Sequence, residues 1–300
     1  MISREAHHRR TMNDNKEIES AQATLPSDLA SLSQLEQSSI RLATPLHGGA
    51  MAWRRWGNGP PLVLVHGGAG SWRHWFRNIP ALAERHTVYA PDLPGFGDSS
   101  DMLTSSQAAL GFGLAEGMQA LVPHEVKIDI VGFSFGALVS SQAAVVAAER
   151  VGRVVLVGPG ALGLPRVSIK LEKWRSQTDP TMIRAIHRRN LSRLMIADSK
   201  HIDEMAVSIQ HENGLRARLK SWAITPPDAL ARVLPQLPGD RLHIIYGGRD
   251  AVAGPHLAER QEFFSRTSPE SRFHVVPGAG HWVAYEAPDA IDALLRDVLR

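Results

Sequence analysis

Three residues at the ends of short apolar runs have the types that acyl-transfer chemistry needs. Ser134 lies in Gly132-Phe133-Ser134-Phe135-Gly136, after the run at 127–131 and before a helical stretch. Asp250 closes Tyr246-Gly247-Gly248-Arg249-Asp250, directly after the run at 242–246. His281 lies in Pro277-Gly278-Ala279-Gly280-His281-Trp282, after the run at 273–276. A serine hydroxyl is a poor nucleophile at neutral pH. It needs a base within hydrogen-bond reach, and the base needs a partner that orients it. Ser134 as nucleophile, His281 as base and Asp250 as orienting acid would meet that need. The serine is expected on a tight strand-to-helix turn, with Gly132 and Gly136 at the positions where a side chain would clash.

Attack on a carbonyl also develops negative charge on oxygen, and donors must already be in place to receive it. The backbone N–H of Phe135, next to the nucleophile, is one expected donor. The second is expected from the loop His66-Gly67-Gly68-Ala69-Gly70-Ser71-Trp72, with Gly68 first and Ala69 second. Asp92-Leu93-Pro94-Gly95-Phe96-Gly97-Asp98-Ser99 reads as a strand-exit turn that shapes the site wall, rather than as an acidic pair at Asp92 and Asp98.

These loops need a scaffold that brings strand ends together. The runs at 62–65, 87–90, 127–131, 153–157, 242–246 and 273–276 are short and continuously apolar, as strands buried on both faces of a parallel sheet are. Helical stretches at 72–84, 107–122, 135–150, 255–265 and 288–300 alternate with them. The alternation predicts a mostly parallel, doubly wound α/β sheet. Two antiparallel strands at 40–42 and 51–56, joined through His47-Gly48-Gly49, precede it. Residues 163–236 interrupt the alternation. Ile183, Ile186, Leu191, Leu194 and Met195, then Met205, Ile209, Leu215, Leu219 and Trp222, have helical spacing. This segment is expected to form a helical lid over the sheet edge, between core segments at 39–162 and 237–300. Residues 1–38, rich in Ser, Gln, Asn and charge, read as a flexible extension with a short helix near 25–35.

The 300-residue chain has no cysteine, which rules out disulfides, thiolate nucleophiles and zinc–cysteine sites. Its net charge of +3 comes from scattered arginines. With no basic face and no recognition motif, no nucleic-acid partner is expected. No apolar run reaches the length of a bilayer span, and residues 1–20 do not read as a signal peptide. The expectation is a cytoplasmic protein with no membrane partner and a small-molecule substrate; a homodimer is compatible with the sequence. Trp72, Trp75, Phe133, Phe135, Trp174, Trp222 and Trp282 are candidates for the substrate wall, and suggest an apolar or aromatic acyl group.

Together, His66-Gly67-Gly68, the turn from Asp92 to Ser99, the Gly132 to Gly136 element, Gly248-Arg249-Asp250 and Gly280-His281 resemble the α/β-hydrolase superfamily over residues 40–300. The resemblance implies the α/β-hydrolase fold with a helical lid, a Ser–Asp–His triad and an acyl-enzyme, with no metal and no organic cofactor. It also implies the order Ser, acid, His along the chain. His66 precedes the serine, so it is read as holding its loop. A narrower likeness, carried by the stretch from Val157 to Gly163, by Asn190-Leu191 to Asp198 and by His281-Trp282, is to the meta-cleavage-product hydrolases, which split carbon–carbon bonds. That likeness would make Trp282 a substrate contact. It would also require a lid arginine for a substrate carboxylate, with Arg193, Arg216 and Arg218 as candidates. Phe133 stands where that group tends to carry Asn. Ester hydrolysis is therefore the primary expectation. Carbon–carbon hydrolysis and a small-molecule receptor with a slow triad are the alternatives.

Overall fold

The computed structural model describes residues 27–103 and 106–299. The chain divides at Gln37–Ser38 into two units. Of the first, only helix α1 (Ser27–Gln37) falls within the described residues. Most of the expected extension lies outside them.

The second unit is built on one eight-stranded sheet. Its strands are β1 (Ile40–Leu46), β2 (Gly49–Trp56), β3 (Pro61–Val65), β4 (Thr87–Pro91), β5 (Ile128–Phe133), β6 (Val151–Val157), β7 (Leu242–Gly247) and β8 (Arg272–Val276). Their spatial order is β1-β2-β4-β3-β5-β6-β7-β8. The pairings β1–β2 and β2–β4 are antiparallel; the rest are parallel. β3, β4 and β7 are buried at every residue, which explains their unbroken apolar runs. Strand order reverses around β3 and β5. In such sheets the crevice beyond the carboxyl ends of the strands at the reversal is the natural ligand site. Ser134 and the loop from His66 occupy those two strand ends.

The helices are α2 (Ile79–Ala83), α3 (Gln107–Leu121), α4 (Phe135–Val146), α5 (Pro180–Leu194), α6 (Glu204–Arg216), α7 (Ala229–Val233), α8 (Leu257–Thr267), α9 (Val283–Glu286) and α10 (Pro288–Val298). The helix expected at 72–84 is instead a 3-10 turn, Trp72–Trp75, followed by the short α2. The Ser71 hydroxyl accepts from Arg73 N–H at the start of the turn, and Pro80 sits in the first turn of α2. A proline is tolerated there but would break a helix running through it.

The stretch between β6 and β7 is helical, as the missing strand pattern suggested. Its end does not stand apart from the sheet. Leu230 and Leu234 are fully buried in the main core, and the N–H groups of Leu230 and Ala231 both reach the Ala161 carbonyl. Residues 229–237 thus belong to the core, not to a separate layer ending at 236. Trp222, expected to pack with helical periodicity, is 75% exposed: the α-helix stops at Arg216, and Trp222 lies in a separate 3-10 turn, Ser221–Ala223.

Candidate active site

The turn at Ser134 is as tight as its glycines imply. Ser134 has φ 52° and ψ −113°, a left-handed backbone that is costly for a non-glycine residue. A Cβ on Gly132 would lie 2.5 Å from the Gly136 carbonyl oxygen, and one on Gly136 would lie 2.3 Å from that of His66. Either contact would force the backbones apart. The turn is held by Ser134 N–H donating to the Val157 carbonyl at 2.8 Å. α4 begins at the next residue, so the N-terminal end of its dipole faces the serine.

Two other loops close on this turn. Gly248 N–H donates to Val276 O and Arg249 N–H to Ala279 O, which ties the Asp250 loop to the His281 loop. His281 Nε2 lies 3.0 Å from Ser134 Oγ, and its Nδ1 lies 2.8 Å from Asp250 Oδ2. The second carboxylate oxygen, Oδ1, accepts from the N–H groups of Val252 and Ala253. Burial opposes ionisation of Asp250. The adjacent imidazole, its hydrogen bond and the two backbone donors outweigh burial and hold the carboxyl below its ordinary range. An ionised acid in that position fixes the imidazole with Nδ1–H toward Asp250, leaving Nε2 to accept the serine proton.

The loop after β3 is set by buried histidines. His66 Nδ1–H donates to Gly67 O and its Nε2 accepts from Leu93 N–H. Burial pushes its pKa down to about 4, so it is neutral. One ring nitrogen is used within the loop and the other by the turn after β4, so neither bonds to Ser134. His74 Nδ1 accepts from Gly67 N–H, and its ring packs edge-on against Phe133 and Trp282. Ala69 has φ 48°. Asp92 accepts from the N–H groups of Trp72 and Asp98, so it braces the turn and forms no acidic pair with Asp98. Among the described residues, the N–H groups of Gly68, Ala69 and Phe135 donate to no backbone carbonyl, and all three residues border the cavity at Ser134.

That cavity has a volume of about 820 Å³. Ser134 and His281 form part of its floor. Phe133, Phe135, Trp174 and Trp222 line it, as the aromatic pattern suggested. Trp72, Trp75 and Trp282 do not. Trp282 is completely buried: its indole N–H donates to His74 O, and its ring lies 4.3 Å from that of Tyr285. The expectation that Trp282 contacts substrate is therefore corrected; it supports the His281 loop from behind. The three arginines considered for a substrate carboxylate are already paired: Arg193 with Glu172, Arg216 with Asp98, and Arg218 with Asp101.

Sequence reasoning missed Glu286. It is buried, and its carboxylate accepts three backbone N–H groups, from Ala197, Asp198 and Gly280. It thereby joins the residue before His281 to the segment after α5. A glutamate in the Tyr285-Glu286 pair of a short helix carries no local mark of that role.

The family model for the alpha/beta hydrolase family matches residues 62–294, and the chain belongs to this family. It is an enzyme of that family, and its relatives include both carbon–carbon hydrolases and esterases. It is 30% identical over 84% of its length to the dihydrolipoyllysine-residue acetyltransferase component of the acetoin cleaving system of Pseudomonas putida, covering 67% of that protein. It is 27% identical to the 2-hydroxy-6-oxo-6-phenylhexa-2,4-dienoate hydrolase of Burkholderia cepacia, over 85% of this chain and 86% of the other. Among solved structures, a meta-cleavage product hydrolase from Pseudomonas fluorescens IP01 superposes with a TM-score of 0.67 at 23% identity, over 86% of this chain and 97% of that one. A thermophilic esterase from Thermogutta terrifontis gives 0.63 at 22% identity, over 87% and 98%. Both show the same fold.

Proposed function

We propose that this protein is a carboxylic-ester hydrolase that works through an acyl-enzyme on Ser134. The observation that carries the reading is the continuous chain Ser134 Oγ, His281, Asp250 at the floor of a cavity with a mostly apolar wall. In this reading Oγ attacks the ester carbonyl as its proton passes to His281 Nε2. The N–H groups of Phe135 and Gly68, with Ala69 beside them, receive the negative charge that develops on oxygen. His281 then returns the proton to the departing alkoxide, and the acyl group remains on Oγ. A water molecule loses its proton to the same Nε2, attacks the acyl carbon and releases the acid, and His281 gives the proton back to Oγ.

The helical stretch between β6 and β7 acts here as a lid. Trp174, Leu194, Met195 and the 217–222 segment form the cavity wall opposite the sheet, which suits an apolar or aromatic acyl group. The likeness to the Burkholderia dienoate hydrolase supports carbon–carbon hydrolysis as a second reading. A panel of 4-nitrophenyl esters of increasing acyl length tests the first. The wild-type protein should release nitrophenolate, and Ser134→Ala should lower kcat by roughly 10⁶-fold. Equal turnover by the two proteins overturns the assignment. Loss of colour from a chromogenic dienol diketone acid, with no turnover of any ester, favours the second reading.

A further inference from the structure

The cavity wall contains six charged side chains that the ester mechanism does not use, Arg166, Glu172, Arg175, Arg218, Lys220 and Arg260, and only the last of them is buried. Arg260, in the first turn of α8, borders the cavity yet is only 4% exposed. Its Nη1 donates to His256 O and its Nη2 to Pro165 O, both at 2.8 Å. Its charge lies beside the Tyr246 hydroxyl, which itself donates to Pro159 O. All these neighbours are neutral. The nearby carboxylate, Asp250, has both oxygens committed, one to His281 and one to the N–H groups of Val252 and Ala253.

Exposed Arg175 also ends on carbonyls, those of Gly214 and Ala217, but other arginines of the insertion have carboxylate partners. Arg189 and Arg193 share Glu172, Arg216 holds Asp98 and Arg218 holds Asp101. Among the described residues no carboxylate forms an ion pair with Arg260, nor with Arg166 and Lys220, which border the same cavity. Glu172, the one acidic residue of the lining, is already neutralised by two arginines. A buried guanidinium whose hydrogen bonds end on carbonyls has no carboxylate in direct contact, and such a charge gains when an anion joins it. The planar guanidinium also matches a carboxylate better than any other common anion-binding side chain does.

We infer that Arg260, with Arg166 beside Pro165, forms an anion subsite in the cavity wall, and that the substrate is an ester carrying a second, ionised carboxylate. This rests on the proposed ester hydrolysis and narrows it. The carboxylate can belong to the acyl part, as in a monoester of a dicarboxylic acid, or to the alcohol part.

Two substrate pairs separate these sources. Mono-4-nitrophenyl glutarate against 4-nitrophenyl hexanoate places the charge on the acyl side. 4-Acetoxybenzoate against 4-acetoxybenzamide places it on the leaving group. The wild-type protein should favour the anion in one pair by at least tenfold in kcat/KM. Arg260→Met should lower that anion-to-neutral ratio by at least tenfold, and Arg260→Lys should restore part of it. A wild-type preference for the neutral ester in both pairs overturns the proposal. So does an Arg260→Met protein in which both members of each pair fall together, since that marks a purely structural strut. Binding keeps the subsite testable without turnover. Glutarate and 4-hydroxybenzoate are titrated calorimetrically into Ser134→Ala and into Ser134→Ala/Arg260→Met. Binding of one acid that weakens at least tenfold in the double variant supports the subsite even if no ester is hydrolysed, in which case only the ester reading falls. Absent binding, or equal binding to both proteins, overturns it.

Discussion

The sheet and the helical insertion hold their parts of the site by different means. On the sheet side, Ser134, Asp250 and His281 are set by backbone hydrogen bonds between strand-end loops, with Asp250 and His281 almost fully buried. The insertion reaches the same cavity through longer arms. Arg216 meets Asp98, which also receives Arg54 at 3.5 Å. Arg218 and Leu219 donate their N–H groups to Gly95 O. Ser71 Oγ donates to Asn213, and Glu286 accepts from Ala197 and Asp198. Short buried backbone bonds fix positions to within tenths of an ångström. Half-exposed ion pairs contribute little energy and tolerate displacement. The comparison puts the Ser134–His281–Asp250 hydrogen-bond chain on the sheet side and most of the cavity lining on the insertion.

The largest effect should come from cutting the sheet side. Asp250→Asn keeps the shape but removes the charge that orients His281. It should lower kcat by about 10⁴-fold with little change in melting temperature. A loss below tenfold in steady-state ester turnover would break the assignment of Asp250.

Next comes the seam between the two regions. Glu286→Ala strands three N–H groups, one buried and two part-buried, and should cost roughly 3 kcal/mol in chemical denaturation. It should also reduce kcat, because Gly280 precedes His281. Unchanged kcat would mean that the His281 loop keeps its place without this tie. At the tie between turn and insertion, Asp98→Ala removes the pair with Arg216, both side chains about 40% exposed, and the 3.5 Å contact to buried Arg54. It should cost under about 1 kcal/mol. A shift in KM with kcat unchanged is the expected signature.

The unequal legibility of the two regions in the sequence has the same cause. Gly132, Gly136 and the apolar runs mark local demands: a clash at one atom, or burial on two faces. Gly132 meets its clash at Gly136, and each apolar run is marked by its own residues, so the sheet and the three strand-end candidates could be proposed from their neighbours, although Gly136 itself packs against the distant His66 carbonyl. The insertion is governed by contacts far along the chain. Arg216 and Asp98 are 118 residues apart, and Asn213 and Ser71 are 142 apart. Nothing near Trp282 distinguishes a substrate contact from a buried brace. Only the His74 carbonyl, 208 residues away, decides it. Arg260 and Glu286 escaped notice for the same reason: a charged residue on a helix reads as surface until its surroundings are known.

The smallest effect concerns pH. Burial lowers the pKa values of His66, His187 and His243 to about 4. Their folded forms stay neutral while the unfolded chain takes up protons near 6.5, so stability falls as pH drops from 6.5 toward 4. Asp292 opposes this. Burial raises it to about 6, so the folded state binds its proton first and gains stability over the same range. Asp292→Asn should therefore steepen the fall in melting temperature between pH 6.5 and 4. An unchanged or shallower slope would contradict that balance.

Covalent trapping tests the central claim most directly. The wild-type protein is treated with a fluorophosphonate, and the adduct is located by peptide mass mapping. The account predicts one adduct, on Ser134, formed at least 10³-fold more slowly in His281→Ala because the hydroxyl then has no base at 3.0 Å. Labelling at another residue, or equal rates in the two proteins, would contradict it.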